Sequence, residues 1–309
     1  MERSFIRWLR ERIPAHPQAP LGIGDDAALL QFSVGKQVVA TTDMLMDGVD
    51  FVLADCDPRR VGRKALAVNL SDLAAMAATP VAAFVSLALP RQGGQLLAQQ
   101  LYEGLLPLAA EFQIALAGGD TNSWDAPLAI SITALGEVTP GQEFSRAGAR
   151  PGDWILVTGS FGGSILGKHF DFTPRLREAL WLAAHAEIHA AIDVSDGLSL
   201  DLFRLAEESG CGAAISPEHV PLDPAAVTLA QQRADGVSPL QHALADGEDF
   251  ELILAAPPAS AAQLIATQPL AAGITKIGEF VAQPGLWRIG AGGELIPLAA
   301  QGYEHGFRE

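Results

Sequence analysis

The sequence predicts an α/β protein, with sheets and helices in α+β layers, divided into two domains. Three observations carry this. The chain has 309 residues, 49% hydrophobic and 18% charged, which suffices for two cores and excludes a disordered chain. Strand-like and helix-like apolar periodicity alternate through both halves. One stretch rich in Gly, Pro and charge, "TPGQEFSRAGARPGD", interrupts that alternation. It sets an N-terminal domain at 1–141 and a C-terminal domain at 142–309.

"MERSFIRWLRERI" reads as an amphipathic helix with Phe5, Ile6, Trp8, Leu9 and Ile13 on its apolar face, and lacks the apolar core of a signal peptide. "KQVVATTD" reads as a strand ending at Asp43. "DPRRVGRKALAVNLSDLAAMAA" reads as a helix opened by Asp57 and Pro58. A buried strand, "PVAAFVSLALP", and a helix, "GGQLLAQQLYEGLLPLAAEF", follow. "IALAGGD" is a short strand ending in a glycine turn, and "LAISITALGEV" alternates as a strand. In the second half "WILVTG", "AAIDVS", "DFELILAA", "ITKIGEF" and "LWRIG" read as strands. Helices are expected around "GSILGKHF", in "PRLREALWLAAHAEI", and in "DGLSLDLFRLAEESG", which Gly210 closes.

The net charge is -16, from 36 acids against 20 bases. That excludes non-specific binding to nucleic acid or to an anionic membrane, but not phosphate ligands, because divalent metals reverse the local sign. No apolar run is long enough to span a bilayer. Cys56 and Cys211 lie far apart and form no metal or redox motif, so a reduced, cytoplasmic setting is expected.

The acids fall in a pattern. "TTDMLMDGVD", "NLSDLAAMAA", "LAGGDTN", "IDVSDGL" and "DGEDFEL" lie in windows without Lys or Arg, 37–58, 65–90, 92–145, 178–203 and 234–275, and the nearest base downstream of "GIGDDAALL" is Lys36. Asp25 and Asp26 are adjacent anions beside an apolar run, which resist burial unless a cation is supplied. Asp72 sits in a helix that is apolar nearly all round, and Asn69 shares its face. Thr41, Thr42, Asp43, Asp120, Asp193, Ser195 and Asp196 lie where strands are expected to meet turns. Each motif alone has a structural reading, as a helix start, an N-cap or a turn. Together, without local bases, they point to bound divalent metal, and an oxygen-rich donor set suits Mg²⁺. The seven histidines show no paired ligand spacing, and "GSFGGSILGK" lacks the Gly-Lys-Ser/Thr ending of a P-loop.

Taken in order, "GIGDDAAL", "TTDMLMDGVDF", "KALAVNLSDLAAM", "GGDT", "SRAGARPGDWILVTG", "IDVSDGL" and "GEDFEL" resemble the thiamine-monophosphate kinase family of the aminoimidazole-ribonucleotide-synthetase-like superfamily. The similarity runs from about Leu21 to "GYEHGF". The resemblance implies an N-terminal domain that dimerises through its sheet, hence a homodimer. It implies phosphorylation of thiamine monophosphate to thiamine diphosphate, with ATP as co-substrate and several Mg²⁺ ions. Carried onto matching positions, Asp26, Thr41, Thr42, Asp43, Asp72, Asp120, Asp193 and Asp196 resemble metal ligands. Tyr102, Gly119, Asp120, Arg146 and Ser195 resemble ATP contacts; Asp50, Glu248 and Tyr303 resemble substrate contacts. No general base or covalent nucleophile is expected, because a phosphate acceptor with a second pKa of about 6 is already largely dianionic at neutral pH.

Two departures stand out. Asp50 occupies a position where the family usually has His. The segment after "TGSFGGS" is short, and the family's basic "RP-x-PR" stretch is reduced to "DFTPR", keeping Pro174 and Arg175. Other ATP-using members of the superfamily and a non-catalytic acidic metal-binding scaffold are the competing readings.

Overall fold

A computed structural model of the chain describes residues 2–304 and Gly306. His305 and Phe307 of "GYEHGF" lie outside the described residues. The chain divides into two compact units, Met1–Leu73 with Ala78–Gln142, and Ala74–Ala77 with Glu143–Glu309.

The first unit contains α1 (Glu2–Arg12), β1 (Gln37–Met46), α2 (Pro58–Ala75), β2 (Thr79–Pro90), α3 (Gly94–Glu111), β3 (Ala115–Trp124) and β4 (Ala129–Val138). Its four strands run in the order β1-β4-β2-β3. The β1–β4 and β4–β2 pairs are antiparallel and β2–β3 is parallel. Helix α2 starts as its residues dictate: the Asp57 carboxylate accepts from the Arg59 N–H at 2.9 Å, satisfying one orphan donor of the first turn. From Lys64 to Ser71 every residue of α2 is buried, as its all-round apolarity requires. Helices α2 and α3 touch backbone to backbone. A Cβ on Gly62 would lie 1.9 Å from the Leu101 carbonyl oxygen, and one on Gly104 would lie 1.7 Å from that of Arg59.

Two strands run further than their sequences suggest. β1 continues past Asp43 to Met46, and its alternation sends Thr41, Asp43 and Leu45 to one face and Val38, Thr42, Met44 and Met46 to the other. β3 continues through Gly118 and Gly119 to Trp124. The "GGD" stretch is therefore a close strand contact, not a turn. Gly119 opposes Val85 in the parallel ladder, and a Cβ there would lie 1.9 Å from the Val85 carbonyl oxygen.

The second unit contains β5 (Trp154–Thr158), α4 (Lys168–Asp171), α5 (Leu176–His185), β6 (Ala190–Asp193), α6 (Leu198–Glu208), β7 (Gly212–Ile215), α7 (Pro224–Arg233) and α8 (Pro239–Ala245). It continues with β8 (Leu252–Ala256), α9 (Pro258–Thr267), β9 (Ile274–Val281), β10 (Gly285–Ile289) and β11 (Leu295–Pro297). The sheet order is β11-β10-β7-β9-β5-β8-β6. Only β7–β10 is parallel, so alternating strands and helices here build a mainly antiparallel layer. Ile155, Val157, Ile192, Leu202, Ile253 and Phe280 lie in its core.

Candidate active site

The expected site residues fall into three groups, two in the first unit and one in the second. The first group lines a cavity of about 500 Å³ that gathers Asp25, Asp26, Tyr102, Gly119 and Asp120. Asp25 and Asp26 are exposed, and Asp25 Oδ1 accepts from the Asp26 N–H at 2.9 Å. Both carboxylates are open to solvent, so burial does not force a cation upon them, although their adjacency in sequence suggests it. A base also stands nearby: a Cβ on Gly24 would lie 2.9 Å from the Arg10 guanidinium. Tyr102 is 3% exposed, burial pushes its phenol up, and its ring meets Phe5 edge-on at 5.8 Å. Asp120 is exposed and accepts from the Thr121 N–H at 2.9 Å. A larger cavity of about 610 Å³, lined by Ile13, Leu106, Phe112 and Ile114 among others, has no acidic residue in its wall. It has no donor set for this chemistry.

The second group is the most electrostatically strained. Thr41 Oγ1 donates to Asp72 Oδ2, bridging β1 and α2. Asp43 lies on the same face of β1 as Thr41. Its carboxyl is raised from 3.8 to about 7, first by burial, then by the charges of Asp72 and Asp50 and a hydrogen bond with Asp72. Asp43 Oδ2 is buried with no hydrogen-bond partner among the described residues. Asn69 Oδ1, one turn before Asp72 on α2, is in the same state, its Nδ2 donating to the Ala65 carbonyl at 3.0 Å. Asp50 closes the turn after β1, its Oδ2 accepting from the Met46 N–H at 2.7 Å. Lys64, which sequence reasoning overlooked, is fully buried and donates to the Asp50 carbonyl at 2.9 Å. The signal was present: a lysine inside a helix that is apolar nearly all round has to find a partner. Thr42 stands apart on the opposite face of β1, donating to the Ile132 carbonyl at 3.2 Å and accepting from Thr133 Oγ1 at 3.1 Å.

A buried, unpartnered carboxylate oxygen beside two further carboxylates is a donor set that fits a hard divalent cation. Among the described residues, no three Asp, Glu, His or Cys side chains form a ready-made cage.

The third group lies at the β6–α6 turn. Asp193 ends β6 and is 3% exposed. The Ser195 carbonyl accepts from the Glu248 N–H at 2.7 Å, and the Asp196 carbonyl accepts from the Tyr303 N–H at 2.9 Å. Backbone bonds therefore bring Ser195, Asp196, Glu248 and Tyr303 together. Asp196 has a counter-ion in the chain: Arg204 Nη1 lies 2.5 Å from its Oδ2 and 2.9 Å from Asp201 Oδ1. Asp201 caps the turn by accepting from the Asp196 and Gly197 N–H groups, and its carboxyl is raised to about 6, chiefly by burial. The base-free window stops one residue short of Arg204. Inferring a bound metal from missing local bases thus fails at Asp196, where a cation must share or displace the guanidinium. It fails again in "DGEDFEL", where Lys168 and Arg175 meet Asp249 and Glu251. Arg146 is exposed, its carbonyl accepting from Ser209 Oγ at 2.8 Å.

Residues 24–138 match the AIR synthase related protein N-terminal domain, and residues 150–288 match its C-terminal domain. A thiamine-monophosphate kinase from Stenotrophomonas maltophilia K279a superposes with a TM-score of 0.80 at 34% identity, covering 92% of this chain and 95% of that one. A structure of AaThiL complexed with AMPPCP and TMP superposes with a TM-score of 0.77 at 27% identity, covering 92% of each. The thiamine-monophosphate kinase of Rhodopirellula baltica is 44% identical over 99% of this chain and 98% of its own length. Identity of that degree along nearly all of both chains places this one in the thiamine-monophosphate kinase family.

Proposed function

We propose that this chain transfers the γ-phosphoryl group of ATP to thiamine monophosphate, in a direct, in-line, Mg²⁺-dependent reaction giving ADP and thiamine diphosphate. One observation carries the metal dependence: Asp43, half-buried beside Asp72 and Asp50, keeps a buried carboxylate oxygen without a partner among the described residues. Substrate and nucleotide are those of the relatives, one of which was solved with AMPPCP and TMP.

In this reading Asp43, Asp72 and Thr41 hold metal on one face of β1, Thr42 is a ligand on the other face, Asp26 and Asp120 are further carboxylate ligands of the first unit, and Asp193 and Asp196 are those of the second. When bound, Mg²⁺ screens and aligns the two polyanions and stabilises charge in the transition state. Tyr102, Gly119, Asp120, Ser195 and the exposed Arg146 contact ATP. Gly119 lines the same cavity as Tyr102 and Asp120. Glu248 faces the cationic part of thiamine, and the exposed ring of Tyr303 stacks on it. Asp50 sits at the rim of the Asp43–Asp72 cluster, where like charge disfavours direct contact with the substrate phosphate. It contacts a metal or a donor group instead. No side chain needs to remove a proton from the acceptor.

The homodimer belongs to the same proposal. Val38, Met44 and Met46 lie on one face of β1 and are 52%, 62% and 41% exposed, the kind of apolar surface an interface covers. No helix among the described residues is long and apolar enough to cross a membrane. With two free cysteines, a cytoplasmic setting fits.

The test is ADP release coupled to a spectrophotometric readout. Release is expected only with thiamine monophosphate and Mg²⁺ both present. With γ-labelled ATP alone, no label should remain on the protein. ADP release indifferent to thiamine monophosphate or to chelation, or stoichiometric protein labelling that chases into product, overturns the reading.

A further inference from the structure

The shortened segment after "TGSFGGS" turns Lys168, His169 and Arg175 inward, while Asp171 is exposed. His169 is 3% exposed, and its Nδ1 lies 3.2 Å from Glu248 Oε2. Lys168 Nζ donates to the Ser160 carbonyl at 2.7 Å and to Glu251 Oε1 at 3.3 Å, and lies 3.8 Å from Asp249 Oδ1. Phe172 stacks on Phe250 with centroids 4.0 Å apart and planes at 15°. Arg175 grips Glu251 through Nε at 2.6 Å and Nη2 at 2.7 Å, the two-pronged fork that suits a carboxylate. Four successive residues, Glu248 to Glu251, are thus each held by a residue between 168 and 175.

What they hold is strained. Gly247, Glu248 and Phe250 have φ of +75°, +56° and +51°. Two non-glycine residues in the left-handed region within three positions cost on the order of 1–3 kcal/mol each and persist only where the surroundings over-determine them. The Glu248 N–H is also pinned to the Ser195 carbonyl at 2.7 Å. Yet the Glu248 side chain stays 31% exposed. A fixed backbone carrying a partly open carboxylate is an arrangement for presenting that carboxylate. The Arg175 fork is filled by Glu251, which argues against this segment supplying a phosphate-binding arginine.

We infer that residues 168–175 form a positioning clamp, in which His169 aims the Glu248 carboxylate at the cationic moiety of the substrate. An Nδ1–H donating to Oε2 fixes the rotation of the carboxylate and leaves its exposed edge toward the ligand. The inference rests on the proposal that Glu248 contacts thiamine.

The experiment measures KM for thiamine monophosphate and for ATP, with melting temperature, in His169→Ala, His169→Asn, Glu248→Gln and the His169→Ala/Glu248→Gln double variant. Asn places an N–H where Nδ1 was. His169→Ala should raise KM for thiamine monophosphate about tenfold, the scale of one hydrogen bond to a charged group, with KM for ATP unchanged. His169→Asn should recover most of that loss, and His169→Ala should add little in the Glu248→Gln background. If Glu248→Gln leaves the thiamine-monophosphate KM unchanged, the reading of Glu248 fails and the clamp fails with it. If Glu248→Gln matters but folded His169→Ala behaves as wild type, the clamp alone is overturned. It is also overturned if both KM values move together and Asn gives no rescue.

Discussion

Asp43→Asn should stabilise the metal-free protein while abolishing its turnover. In the folded chain the Asp43 carboxyl is raised from 3.8 to about 7, chiefly by burial and then by Asp72 and Asp50. Each pKa unit corresponds to about 1.4 kcal/mol, so the ionised form costs the fold up to about 4 kcal/mol. The sign follows from proton counting. Below pH 4 the group is protonated in both states and costs nothing. Between pH 4 and 7 the unfolded chain releases the proton more readily, so stability falls as pH rises. Above 7 the full cost is present. Asn keeps the volume and removes the charge. Urea unfolding in chelator should therefore find the variant more stable than wild type by about 2–4 kcal/mol at pH 8, with the advantage shrinking toward pH 4.5. Mg²⁺ with a non-hydrolysable ATP analogue should raise the wild-type midpoint much more than that of the variant. A variant less stable than wild type at pH 8 in chelator would refute the reasoning, because Asp43 would then be making favourable contacts rather than awaiting a cation.

Three shorter predictions address the remaining features. Gly119→Ala places a methyl against the Val85 carbonyl; it should cost about 1–3 kcal/mol and weaken ATP binding by calorimetry, and unchanged values of both would remove Gly119 from the site. Arg204→Ala leaves the buried Asp201 and its neighbour Asp196 without their shared cation. It should lower stability by about 1–2 kcal/mol, with Mg²⁺ restoring more stability than it gives wild type; no added response to Mg²⁺ would exclude a cation at Asp196. Met44→Asp charges the exposed face of β1 and should halve the mass measured by light scattering at micromolar protein, whereas an unchanged dimer would move the interface elsewhere.

Local structure was most legible where one helix or strand carried its own signals. The sequence places α2 from its Asp57-Pro58 start and its unbroken apolarity, and that apolarity already requires Asp72 to find a partner. β3 runs past Asp120 through the polar Thr121, Asn122 and Ser123, and β1 runs past Asp43 through Met44, Leu45 and Met46 to the Asp47-Gly48 turn; where each strand ends follows from its pairing with β2 or β4, which is a long-range property. Asp223-Pro224 and Ser238-Pro239 announce α7 and α8, which apolar periodicity alone does not reveal. Asp223 caps the Ala225 N–H, and Ser238 forms a capping box with Gln241. At the site, oxygen-rich motifs could be found by reading along the chain, but their counter-charges could not. Lys168 and Arg175 reach Asp249 and Glu251 through the fold, and Arg204 folds back to Asp196 from α6, so an absence of bases in a stretch of sequence says little about their absence in space. Asp43 is where the argument survives, because burial and two neighbouring carboxylates act on it together.

The alternation of β1 bears on how such a chain can change over generations. Thr41 and Asp43 look inward to Asp72, while Thr42, Met44 and Met46 look outward. Sliding the strand by one residue against β4 would exchange the two sets completely. Asp43 would turn to solvent and Met44 would enter the carboxylate cluster. Substitutions at single positions can accumulate on either face independently. A change of length within residues 37–46 alters both faces at once, so insertions and deletions should be confined to flanking turns such as that around the fully exposed Val34. Within the strand itself, spacing is inherited as a unit even where the individual residues are free to vary.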